Sequence, residues 1–402
     1  MNGTIKPRLR LFSWGLGMLT LLFGLSASAG GLNLPFVNDG GSAAGGIESP
    51  VISTSSTLPE SKEVSEAAWS PDGKYVAAGF NGLTMGVWNT ATHRRVRTLR
   101  IDNAGGDFGA IAYSPDGRYL AAGQSVISLW NAKTGAWVRN ITAPFIDPTR
   151  PQPIGVHSLA FSPDGKTLAA LYSVSLTVGG HIDSDIVFYR VDTGKLRDSV
   201  RTKDFVTTSI YFTPDGKYLV DGGVHTVRER NAVGKFGKVR YKTYVDIRDA
   251  ASGKRVRRIS HIHTMAPTAL ALSADGKMIA TGTDTGDKES VLNDITHTWQ
   301  HIDNRDPIRI WDFASGRLLK ELFGGKTASI ISLAFSPNGK YLAACQWDKH
   351  HRSIWIWHVA SGRVAAKVET PKYDGTPLSC AFSPGGSRPP MSTTTNSGSA
   401  GG

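Results

Sequence analysis

The sequence predicts an all-β chain of small four-stranded antiparallel sheets, repeated seven times with the last copy incomplete. Three observations predict it. One hairpin motif recurs along the chain, a second turn follows each complete copy at a similar offset, and no helical 3.6-residue stripe of useful length runs between residues 60 and 386.

The hairpin copies read "AAWSPDGKYVAAG" from Ala67, "IAYSPDGRYLAAG" from Ile111, "LAFSPDGKTLAAL" from Leu159, "IYFTPDGKYLVDG" from Ile210, "LALSADGKMIATG" from Leu270, "LAFSPNGKYLAAC" from Leu333 and "CAFSPGGSRPPMS" from Cys380. The turn proline falls at 71, 115, 163, 214, 337 and 384, with Ala274 in the fifth copy, so successive spacings are 44, 48, 51, 60, 63 and 47. Proline presets φ for a type I turn, aspartate suits the next position, and glycine takes the left-handed conformation that follows. That is a tight hairpin loop, and its flanking strands are antiparallel neighbours.

A third strand then ends in a bulky residue: "VWN" at Val87, "LWN" at Leu129, "FYR" at Phe188, "IRD" at Ile247, "IWD" at Ile310 and "IWH" at Ile356. Second turns such as Lys133-Thr134-Gly135, Asp192-Thr193-Gly194, Ala251-Ser252-Gly253, Ala314-Ser315-Gly316 and Ala360-Ser361-Gly362 lead into a fourth strand. Alanine pairs on inner strands (Ala77-Ala78, Ala121-Ala122, Ala169-Ala170, Ala343-Ala344) suit the place where sheets converge. Trp88, Trp130, Trp311 and Trp357 suit the widening wedge between sheets, as core rather than as a ligand cage. Repeats of this length made of strands alone pack radially, as a β-propeller of four-stranded antiparallel blades.

The "SPDG(K/R)xLA" hairpin followed by "(I/V)W(D/N)xx(T/S)G" resembles the WD-repeat β-propeller family over roughly residues 61 to 386, in the manner of exported bacterial-type members. A weaker similarity, to TolB-like periplasmic propellers, covers only Trp69 to Gly73. The resemblance implies a platform for protein partners with no shared chemistry. At the third-strand ends the Trp-Asp pair is intact only at Trp311-Asp312, and the repeats' opening Gly-His dipeptide is absent, so apolar packing is expected to replace the family's buried polar network.

The ends carry further expectations. Lys6, Arg8 and Arg10, the apolar run Leu11 to Leu25 and Ala27-Ser28-Ala29 read as a signal peptide over residues 1–29, either cleaved or retained as the chain's one membrane anchor. Residues 30–60 read as a Gly/Ser/Pro-rich linker with one candidate strand, Pro50 to Ser53, able to patch the last copy near Val51. The propeller is expected over 61–386 and a disordered tail over 387–402, because Pro389 and Pro390 stand where a second strand needs donors. The protein is therefore expected outside the cytoplasm, periplasmic or secreted, and monomeric. The two cysteines, Cys345 and Cys380, take positions that other copies fill with glycine or leucine, and read as buried free thiols rather than a bridge.

Tight turns gather at one end of such a fold, while the long segments fall at the other: 172–184, 222–242, 283–307, 346–352 and the crossover 143–155. Long loops on one rim of a compact domain mark a binding face. The candidates for contacting a protein partner there are Arg228, Arg230, Lys235, Lys238, Arg240 and Lys242, then Asp284, Asp287, Glu289, Asp303 and Asp306, with Trp347, His350 and His351. Basic and acidic segments either orient a partner or neutralise each other.

The net charge of +12, or +9 without Lys6, Arg8 and Arg10, includes runs at Arg94, Arg95, Arg97 and Arg100 and at Lys254, Arg255, Arg257 and Arg258. On outer strands such cations guard an edge, and no stacking platform recurs among them, so nucleic acid is not expected. No hydrolase elbow, zinc-protease or dinucleotide motif occurs. The leading reading is a non-enzymatic interaction scaffold without cofactor or metal. The alternatives are a propeller enzyme or metal-dependent binder at the channel mouth, with His261-x-His263 as ligands, or a binder of an anionic cell-surface polymer.

Overall fold

A computed structural model describes residues 32–34, 56–58, 64–80, 84–100, 109–142, 153–174, 184–202, 205–230, 236–260, 267–283, 291–293, 298–300, 307–324, 329–347, 352–370, 380–384, 391–392 and 394–395. Six four-stranded antiparallel sheets follow one another along it as the blades of a β-propeller. Blade one holds Val64–Trp69, Tyr75–Phe80, Thr84–Asn89 and Arg95–Arg100. Blade two holds Ala110–Tyr113, Tyr119–Gly123, Val126–Asn131 and Trp137–Thr142, and blade three Pro153–Phe161, Thr167–Val174, Ser184–Arg190 and Leu196–Thr202. Blade four holds Phe205–Phe212, Tyr218–Arg230, Phe236–Asp249 and Arg255–Ser260. Blade five follows with Pro267–Leu272, Met278–Thr283, Ile308–Asp312 and Leu318–Leu322, and blade six with Ser329–Phe335, Tyr341–Trp347, Arg352–His358 and Val364–Thr370.

The repeated turn owes its constancy to a local hydrogen-bond set. In blade one, Ser70 Oγ donates to Asp72 Oδ1 at 2.7 Å and itself accepts from the Tyr75 amide at 2.9 Å. The same pair of bonds recurs at Ser162–Asp164 and Ser273–Asp275, where the serine hydroxyl holds the carboxyl below its usual pKa. Glycine closes each turn with positive φ, for example +69° at Gly117, where an added Cβ would meet no atom within 4 Å. Gly117→Ala therefore isolates the conformational term, and its expected loss is about 1–2 kcal/mol in urea unfolding. Gly253→Ala is expected to lose more, because its Cβ would also fall 2.3 Å from Val200 Cγ2.

Between blades, apolar faces interlock. Ala77, Met85, Val87, Leu99, Ile111, Leu120, Ala122 and Trp130 join blades one and two, and Ala280, Ile310, Leu342 and Trp357 belong to the cluster joining five and six. Outer-strand cations add a second tie that edge protection does not explain. Arg97 reaches the carbonyl of Lys133 in the next blade, Arg257 those of Phe313 and Ala314, and Lys320 that of Ala360. In blade three the neighbouring position takes over, with Arg197 Nη2 donating to Ala250 O at 2.6 Å. Arg97, Arg257 and Lys320 oppose Val87, Ile247 and Ile310, and the residue opposing Ile356 in blade six is Ala366. The last blade has no cation at that position.

That corrects the expected blade count. Among the described residues the fold has six blades, rather than seven with the seventh incomplete. Among the described residues the seventh motif copy supplies Cys380–Ala381, paired with Met391–Ser392, and two prolines that cannot donate stand between them in the sequence. This hairpin stands beside blade six, with the Cys380 amide donating to Ser332 Oγ at 3.2 Å. On its other side, Pro384 Cδ lies 3.6 Å from where a Gly73 Cβ would stand in blade one. Successive blades show the same approach, between Pro163 and Gly216 and between Pro214 and Gly276. Within the expected linker, Leu32–Leu34 pairs with Ser56–Leu58 and with Thr394–Thr395, while the candidate strand Pro50 to Ser53 and residues 1–31 lie outside the described residues.

Candidate functional site

The end of the molecule opposite the tight turns is dominated by blade four. Its second and third strands run 13 and 14 residues, against 5 to 8 for their counterparts elsewhere. The segment 222–242, expected as an irregular loop, is largely a two-stranded ribbon. Pairing continues past Val224↔Thr243 through His225↔Lys242, Val227↔Arg240 and Arg228↔Val239 to Arg230↔Phe236. Its alternation of valine, threonine and tyrosine with charged residues is a strand pattern that the segment's length disguised. Six more residues of strand extend the ribbon roughly 20 Å beyond the blade.

Five of the basic candidates, Arg228, Arg230, Lys238, Arg240 and Lys242, thus lie on one ribbon, all but Lys238 at paired register positions. Trp347 ends the second strand of blade six opposite Arg352. In blade five, Val291–Asn293 pairs with Thr298–Gln300, so 283–307 also contains a short ribbon rather than loop alone. Lys235, Asp284, Asp287, Glu289, Asp303, Asp306, His350 and His351 lie outside the described residues, as do His261 and His263.

At the root of the blade-four ribbon, sequence reasoning missed a buried ionic network. Asp221 and Asp246 face each other directly across the strand pair, an arrangement of like charges that is unfavourable by itself. Arg248 resolves it. Its Nε donates to Asp221 Oδ1 at 2.6 Å and its Nη2 to Asp246 Oδ2 at 3.0 Å. Arg258, on the fourth strand, makes two further bonds of 2.6 Å to Asp246, and its guanidinium lies 4.3 Å from the Tyr244 ring centroid. Both aspartates are fully buried, on the face that Leu219 turns toward blade three.

Burial pushes the Asp221 carboxyl up to about 6, opposed by the Arg248 charge. Burial also works against the Arg248 cation, but Asp221 and Asp246 more than offset it and hold its pKa above the ordinary value. Other blades fill these positions differently. Where blade four has Asp221, they carry Ala78, Ala122, Ala170, Thr281 and Ala344, and where it has Arg248, they carry Trp88, Trp130, Tyr189, Trp311 and Trp357. Blade five shows an intermediate solution, with Trp311 Nε1 donating to Thr281 Oγ1 at 2.9 Å. Apolar packing is therefore not the rule in blade four. The signal was two departures in one copy, "VDG" and "IRD", whose contact only the strand register reveals.

The comparisons agree with this architecture. The family model "WD domain, G-beta repeat" matches residues 53–89 and 316–358. The chain is 23% identical over 233 residues to the Periodic tryptophan protein 2 homolog of Dictyostelium discoideum, covering 58% of this chain and 20% of that protein. The chain thus spans about a fifth of that relative's length. Blade geometry and repeat matches together support a WD-repeat propeller, a class that generally serves as a platform for protein partners.

Proposed function

We propose that this chain is an exported, non-enzymatic interaction scaffold that docks a protein partner on the propeller end from which the blade-four ribbon projects. The observation that carries this reading is the ribbon itself. A hydrogen-bonded extension with five basic residues along its two strands offers a partner a surface whose backbone order is already in place, which lowers the entropy lost on docking. The buried charges at its root favour the same reading, because a fixed base keeps a long ribbon in a set direction. The acidic segment 284–306 of blade five would orient the partner over the neighbouring blade, and Trp347, His350 and His351 would extend the surface to blade six. The bacterial-type export reading rests on the basic, apolar and Ala-Ser-Ala succession of residues 1–29.

Cross-linking of the exported, monomeric chain in its own extract tests the proposal, against a variant in which residues 226–241 are replaced by a two-residue turn. The expected result is loss of the captured protein with unchanged melting, from a mature chain that begins near Gly30. An unchanged set of captured proteins overturns the assigned surface. Retention of protein partners with loss only of an anionic cell-surface polymer would assign the ribbon to the polymer instead.

A further inference from the structure

The hairpin that follows blade six brings together the only two cysteines in the chain. Cys345 opposes Ser332 in blade six, and Cys380 meets the same serine from the other side. The Cys380 amide donates to Ser332 Oγ at 3.2 Å, and its Sγ lies 3.6 Å from the Ser332 carbonyl oxygen. Both thiols are free and buried, and they share one apolar cluster with Ala343, Ile354 and Ile356. Ser332 thus touches both residues, as the strand partner of Cys345 and the hydrogen-bond partner of Cys380. Neighbouring thiols on two separate elements, 35 residues apart (380 − 345), are more than core filling requires.

We propose that Cys345 and Cys380 form a thiol–disulfide site, oxidised by a low-molecular-weight disulfide, whose bridge latches the closing hairpin onto blade six. The chemistry balances as two exchanges. The Cys380 thiolate attacks one sulfur of the small disulfide, forming a mixed disulfide and releasing one small thiolate. Cys345, deprotonated in turn, attacks the Cys380 sulfur, closes the protein bridge and expels the second small thiolate. The protein loses two electrons and two protons, and the reagent becomes two thiols.

The order of attack follows from the surroundings. A hydrogen bond from the Cys345 thiol lowers the pKa of Cys380, whereas burial raises that of Cys345. That direction agrees with Cys380 as the attacking group, and its position in the fold decides the matter. Access follows from the same asymmetry. Cys345 sits in the middle of a seven-residue strand, while Cys380 belongs to a two-residue strand held by two paired positions. Short elements open locally at lower free energy than whole blades. Because Pro384 of the same segment rests against blade one, a bridge at Cys380 would hold the arc between the last blade and the first.

The test uses the full chain, reduced, desalted and incubated with oxidised glutathione under native conditions, then unfolded in N-ethylmaleimide. The expected product is lighter by two hydrogens, takes up no maleimide, and yields a non-reduced tryptic species joining the Cys345 and Cys380 peptides. Its melting temperature shifts upward and returns on reduction. Cys345→Ser is expected to stop at a glutathione adduct on Cys380, while Cys380→Ser acquires none. Two maleimide adducts on treated wild type, or covalent dimers in place of the internal bridge, overturn the proposal without reliance on either variant.

Discussion

Replacing Arg248 with alanine is expected to destabilise the protein by about 3–5 kcal/mol, because it leaves two buried carboxylates facing each other without their shared cation. The urea midpoint at pH 7 checks it. A compensated exchange is expected to behave quite differently. Asp221→Ala, Asp246→Gly, Arg248→Trp and Arg258→Thr together install the set that blade one uses, Ala78, Gly86, Trp88 and Thr98. Glycine is required in that set, since a Cβ on Gly86 would lie 2.1 Å from the Trp88 ring. Well-packed apolar replacements of buried ion pairs are often neutral or stabilising, so the fourfold variant is expected to match or exceed the wild type. If it falls as far as Arg248→Ala, the ions do something that packing cannot replace.

The same network has a pH signature. The folded pKa of Asp221 is raised to about 6, from an ordinary value of 3.8, so between those values the folded state holds a proton that the unfolded state has released. Its contribution to stability is complete below the lower value and is lost as pH rises through the upper one. Asp221→Asn is expected to remove that decline from the curve of urea midpoint against pH, while leaving the opposite trend of the turn aspartates. Those carboxyls, held low by Ser162 and Ser273, lose stability as pH falls.

The second large effect is expected from Trp130→Ala. Trp130 is 2% exposed and packs in the cluster joining blades one and two, so its removal should lower stability by about 3–5 kcal/mol. Trp137 stands directly across from it in the strand register and supplies an internal control. That ring is 60% exposed and donates only to Asn140, and Trp137→Ala should stay within about 0.5 kcal/mol of wild type. Equal losses for the two variants would show that blades are not joined through the third-strand aromatic.

What was legible in the sequence follows the range of the forces involved. The Ser-Pro-Asp-Gly turns and bulky third-strand ends are local signals, and each blade forms where they occur. Counting turns nevertheless overstated the blades, since a turn such as that at Pro384 makes a blade only when one strand leads into it and three follow. The outer part of Tyr218–Arg230 and Phe236–Asp249, over 222–242, reads as a loop in the sequence because its length outweighs its alternation. The charge network lay beyond sequence reading for another reason. Asp221 and Arg248 are 27 residues apart, and only the pairing register makes them neighbours. Likewise Arg97 and Arg257 read as guards on an exposed edge, and only the fold reveals their acceptors in adjacent blades.

Ala366 carries a consequence for how such a chain can grow. A gene that duplicated its final unit would give the newcomer a methyl group to lean on where internal units offer a charged side chain. Copying an internal unit would transmit the clamp along with the strand. Blade three, with Asp198 at that position and its tie carried by Arg197, shows that a unit can also hand the clamp to the residue next door.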